Sequence, residues 1–146
     1  MKALRACTLS MGLIALALTA PAAAERMQRF GDYEAHYSLV PTTLLNPRVA
    51  AGYGISRGRD RALLSISVLN AAGEPIRAEV TGVVKDLLGQ ERALELDEVV
   101  EGEAVYYLTE IRHGDREVLR FAIDIATPEG ASHRLAFQQQ MFWSDR

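Results

Sequence analysis

Cysteine is nearly missing from this 146-residue chain, where Cys7 is the single one. A disulfide needs two, so no covalent bridge within the chain braces the fold, and stability has to come from a packed core. Histidine is scarce as well, with three in the chain. His36, His113 and His133 have no partner at the short spacings that hold a metal. No Gly-x-Ser-x-Gly elbow is present, no glycine-rich turn opens a helix, and no loop of alternating aspartates offers a calcium site. The formal charge is −3, which argues against nucleic acid as a partner, because such partners need a basic face. Long hydrophobic runs are confined to the first residues, and a spanning helix needs about 20 apolar residues.

What is present begins with that first stretch. Lys2 and Arg5 precede an apolar core centred on residues 11–18, and Ala20, Ala22, Ala23 and Ala24 follow it. Positive start, apolar centre and small-residue exit describe a secretory signal peptide over residues 1–24. A single domain over residues 25–146 is expected to remain. Cys7 lies before the apolar core. A lipid-bearing cysteine would have to follow that core, so Cys7 is expected to leave with the leader. The leader holds two cationic side chains and no acid, so its loss takes the formal charge from −3 to −5. No membrane span is expected after cleavage.

The rest of the chain alternates apolar and polar residues with a period of two, the signature of strands with one buried face. Strands are predicted at 32–40, 62–70, 76–86, 91–99, 104–112, 117–126 and 133–142. Turn-forming residues separate them: Gly73 with Pro75, Leu88 with Gly89, Gly102, Gly114 with Asp115, and Pro128 with Gly130. Pro41 ends the first strand. Asn46 and Pro47 are suited to open a short helical turn, and Gly52 to close it. Seven short strands with hairpin-length links predict an all-β fold, an antiparallel immunoglobulin-like β-sandwich with one helical turn. A small closed β-barrel is the alternative.

Candidate sites are few. Arg57, Arg59 and Arg61 share a glycine-containing loop. Three guanidinium groups there suit a carboxylate, a phosphate or an acidic partner; the alternative is internal pairing with Asp60 and the acidic stretch 91–103. His36 and His133, on the first and last strands, are a metal candidate only if the fold brings them together with Asp32 or Glu34. His113, in a hairpin turn, is expected to be solvated. Phe142 and Trp143 are placed to cover the end of the core or, if exposed, to anchor a partner. Gln138, Gln139 and Gln140 interrupt the last strand's alternation, which marks it as an edge strand. No catalytic residue, metal ligand or cofactor-binding residue is assigned.

Several stretches carry a resemblance: Phe30-Gly31-Asp32-Tyr33-Glu34 with His36-Tyr37, Ala51-Gly52-Tyr53-Gly54-Ile55, Arg61 through Val68, Leu87-Leu88-Gly89-Gln90, and Phe137-Gln138-Gln139. Together they resemble a family of small exported proteins of Gram-negative bacteria catalogued as a domain of unknown function. The resemblance implies a β-rich domain in the periplasm and supplies no site residues. The leading functional expectation is a non-catalytic binding or accessory module for a protein or small ligand, using a loop face or an open sheet edge. The alternatives are a metal-dependent protein or hydrolytic enzyme whose site is assembled only by the fold, and a structural subunit of an envelope assembly.

Overall fold

The computed structural model describes residues 26–145; the expected signal peptide lies outside the described residues. Among the described residues nine strands form two antiparallel sheets. The strands are β1 Arg26–Phe30, β2 Tyr33–Pro41, β3 Arg61–Leu69, β4 Glu79–Lys85, β5 Glu91–Leu94, β6 Asp97–Glu101, β7 Ala104–Arg112, β8 Val118–Ala126 and β9 Ser132–Gln140. One sheet has the order β1-β2-β3-β7-β6 and the other β5-β4-β8-β9. The expected sandwich is therefore found, and the closed barrel is not: every ladder lies within one sheet or the other.

Alternation explains the packing. β3 buries Ala62, Leu64, Ile66 and Val68 while Leu63, Ser65, Ser67 and Leu69 are only partly covered. β8 buries Leu119, Phe121, Ile123 and Ile125 against it from the other sheet. Ala35 and Tyr37 of β2, Val105, Tyr107 and Ile111 of β7, Val84 of β4 and Leu135 of β9 complete one continuous core. Phe137 joins the sheets, with its ring 4.7 Å from Phe121 and 4.5 Å from Tyr37. Two face-packed layers of this kind hold together without a cross-link. Gly82 marks a close approach in β4: a Cβ there would sit 3.0 Å from the carbonyl oxygen of Ala122.

The strand count differs from the seven expected, at two places. β1 pairs with β2 from Phe30↔Tyr33 to Arg26↔Tyr37. It is an edge strand rich in arginine, so it lacks the apolar alternation that reveals the others. The second difference is at residues 91–99, read as one strand. Glu91–Leu94 pairs with β4 in one sheet, and Asp97–Glu101 pairs with β7 in the other. Leu94 and Leu96 both pack on the core, so their spacing hides the change of sheet between them. The strand predicted from residue 76 begins its ladder at Glu79; Pro75 instead bridges Leu69 of β3.

That crossing between sheets is tied down by Tyr107. Its hydroxyl accepts from the Ala78 N–H and donates to the Ala78 carbonyl, both at 2.8 Å. Burial raises the phenol pKa above its usual value, so the group stays protonated and able to donate. Tyr107→Phe leaves both backbone groups of Ala78 without this partner. A loss of about 1–3 kcal/mol is expected, read as a lower urea midpoint with an unchanged slope.

Candidate functional site

Two features occupy the end of the sandwich where β2 stops, and both are built from local sequence. Pro41 ends β2, and a 3-10 turn, Thr42–Leu44, follows. The Asn46 side chain accepts from the Arg48 N–H at 2.9 Å, opening helix α1, Pro47–Gly52, with proline at its first position. Gly54, at φ +67°, turns the chain back in a conformation that glycine adopts without strain. The Ile55 N–H then bonds the Ala50 carbonyl at 2.8 Å, and the loop with the three arginines returns to β3.

Thr42 anchors that loop. It is fully buried. Its hydroxyl lies 3.1 Å from the Gly58 carbonyl and 3.2 Å from the Arg61 carbonyl, and it accepts from the Gly58 N–H at 3.0 Å. The arginines then diverge. Arg57 donates to the carbonyls of Thr42 and Thr43 at 3.3 and 2.7 Å. Arg61 pairs with Glu110 of β7, and Glu110 also accepts from the Ser56 N–H at 2.9 Å. Asp60 is a looser neighbour, 3.8 Å from Arg61. Arg59 lies over the Trp143 ring, 4.2 Å from its centroid. The Ser144 N–H donates to the Arg59 carbonyl at 3.1 Å, and the hydroxyls of Thr43 and Ser144 are 2.7 Å apart. Arg57 and Arg61 thus fasten the loop, and Arg59 alone of the three joins the C-terminal segment. Together Thr43, Arg57, Gly58 and Arg59 line an open hollow. Glu110 was not legible as a partner, because strand register decides which acid meets Arg61.

Beside this loop a cleft of about 280 Å³ opens between the sheets. Tyr37, Leu39 and Pro41 of β2 form one wall; Phe137 and Gln139 of β9, with Met141 and Phe142 beyond it, form the other. Arg26 closes one end, donating to Gln139 at 2.9 Å. β9 is a sheet edge, as the glutamine run suggested. Met141, 6% exposed, covers the end of the core, whereas Phe142 and Trp143 are 57% and 43% exposed. With Leu44, 72% exposed, they give this end of the sandwich an apolar surface.

The histidines do not come together. Ala35 and Tyr37 face the core, so His36 points to the outer face, 3.2 Å from Glu34. Contact with His36 and Arg29 holds the Glu34 carboxyl below its usual pKa. His133 lies in the seam between the sheets, 3.2 Å from Gln28 and stacked on Phe30 at 4.8 Å. His113, expected to be solvated, is buried, with Nδ1 3.0 Å from the Gly114 carbonyl. The backbone draws it in: its N–H donates to the Asp60 carbonyl at 3.0 Å. Among the described residues no three His, Cys, Asp or Glu side chains are grouped to hold a metal, and no helix is long and apolar enough to cross a membrane.

Comparison with known proteins gives the same architecture. The chain is similar to a crystallised DUF4426 family protein of Pseudomonas aeruginosa, at 31% identity over 83% of this chain and 97% of that one, with a TM-score of 0.74. Two structures of FetP from uropathogenic Escherichia coli share the fold at 11% identity. One is a copper-bound variant, with a TM-score of 0.58 over 80% of this chain and 93% of that one. The other is the as-isolated protein expressed in the periplasm, with a TM-score of 0.60 over 84% and 96%. No curated protein matches the chain. The family model for the domain of unknown function DUF4426 matches residues 27–144, and the chain belongs to that family.

Proposed function

We propose that this protein is an exported, non-catalytic binding module of the bacterial envelope, working in the periplasm after loss of residues 1–24. The observation that carries this reading is the exposed apolar end of the sandwich. Leu44, Phe142 and Trp143 stand in solvent beside an apolar cleft, and apolar clusters left uncovered on a folded domain mark contact surfaces. Arg57 and Arg59 border the same end and suit an anionic group on the partner. The test has two parts. N-terminal sequencing of the exported protein is expected to begin at Glu25. A photocrosslinking residue at Phe142 is then expected to form a protein adduct in intact cells, while one at Val100, 47% exposed at the opposite end of the sandwich, does not. An intact leader, or the same adducts from both positions, contradicts the reading.

A second reading, metal binding, is favoured by one juxtaposition. The β1–β2 register sets Met27 opposite His36, and Glu34 lies 3.2 Å from the imidazole. A thioether, an imidazole and a carboxylate are donors that copper accepts, and copper is the metal in one of the FetP structures. Copper is then expected to raise the melting temperature of the exported protein, and Met27→Leu to remove that rise. An unchanged melting temperature with copper contradicts this reading.

A further inference from the structure

The two sheets part along one side, and the described residues of β1 fill only half of the gap. β1 pairs with β2 from Tyr33 to Tyr37, whereas β2 continues to Pro41. Along the covered half, β1 side chains tie the sheets together. Phe30 stacks on His133, Gln28 donates to the Ala136 carbonyl at 3.4 Å, and Arg26 donates to Gln139. Past Arg26 the outer edge of β2 at residues 38–41 borders the cleft of about 280 Å³. Cleavage after Ala24 leaves Glu25 as the only residue before Arg26. One residue is too short to cover the four β2 residues beyond Tyr37.

We propose that this slot is a strand-acceptor site for the extended carboxyl-terminal tail of a partner protein. The inference rests on the exported reading above, because only after leader removal is the chain before Arg26 too short to cover the edge. The occupant's chemistry follows from the geometry. All ladders here are antiparallel, and a tail that continues β1 in that sense runs its carboxyl end toward Arg26. Its terminal carboxylate arrives beside the Arg26 guanidinium. A guanidinium carries five N–H donors, so a bond to Gln139 does not exhaust it. Side chains directly opposite one another across a ladder share a face. Tyr37, Leu39 and Pro41 face the cleft. The tail's last residue, opposite Leu39, therefore points inward against Phe137 and Met141, and so does the residue two before it, opposite Pro41. Both are apolar in a tail that fits. The volume lies just under the roughly 300–1,000 Å³ of small-molecule sites, which suits two side chains better than a cofactor. Main-chain pairing supplies affinity and the inward pockets supply selectivity, as in other strand-addition sites.

The test uses the exported protein, with its N-terminus confirmed at Glu25, and a fluorescent six-residue peptide of alternating threonine and valine that ends in valine. Saturable binding by anisotropy is expected for the free acid. The amidated peptide is expected to bind about tenfold more weakly, the effect of losing one charge-assisted hydrogen bond. Arg26→Gln is expected to bring the free acid down to the amide's affinity, with the melting temperature followed as a check on the seam. Phe142→Ser, at an exposed position, is expected to weaken both peptides without unfolding the protein. No saturable binding, equal binding of acid and amide, or self-association through the slot that excludes the peptide overturns the proposal. An intact leader sinks the exported reading instead, so the two failures are distinguishable.

Discussion

Leu64→Ala is expected to destabilise the protein by about 2–5 kcal/mol, the range for emptying a large buried aliphatic site. Leu64 is fully buried on β3, the middle strand of the five-stranded sheet. It lies in the ladders to both neighbours, opposite Leu39 of β2 and Thr109 of β7, so the cavity opens where two ladders meet and collapse is hardest. A domain of this size has only about 5–15 kcal/mol of stability in all. With no disulfide to restrain the unfolded chain, the loss is expected as a fall of roughly 10–20 °C in melting temperature. A loss below about 1 kcal/mol, the scale of a surface substitution, contradicts a core centred on β3.

Thr42→Val carries the second large effect. The change keeps the shape and deletes one hydroxyl. Around that hydroxyl stand the Gly58 N–H and the carbonyls of Gly58 and Arg61, at a site closed to solvent. Buried polar groups left without a partner cost about 1–3 kcal/mol each. The three share one hydroxyl, so about 2–4 kcal/mol in total is expected. The arginine loop is expected to become sensitive to protease between residues 53 and 61, while Thr42→Ser keeps most of the stability. A valine variant as stable and as protease-resistant as the parent contradicts the assigned role of Thr42.

Much of the sandwich was legible because one face of each central strand is buried. β3 and β8 announce themselves through Leu64-x-Ile66-x-Val68 and Leu119-x-Phe121-x-Ile123-x-Ile125, and both alternations are found buried. β1 was not legible, since an edge strand that bridges sheets with Arg26 and Gln28 has no apolar period to read. The change of sheet between β5 and β6 was hidden for the opposite reason: Leu94 and Leu96 keep the period while the chain leaves one ladder for another. The site divides in the same way. The arginine cluster stands out as composition, but the partners of Arg61 and Arg59 are Glu110 and Trp143, each distant in sequence. The slot has no motif at all. The proposal for it turns on where the mature chain begins along β2, and strand ends are what a period-two pattern defines least.

Residue-resolved amide hydrogen exchange on the chain beginning at Glu25 tests the proposed open slot most directly. The account predicts that β3 and β8 amides such as those of Leu64 and Ile123 exchange only through global unfolding, while the outward-facing amides at positions 38–40 exchange about a hundredfold faster or more. It also predicts that those edge amides become protected when the valine-ended peptide is added. Edge amides as slow as those of β3 before any peptide is present would contradict it, since the place beside β2 would then already be filled.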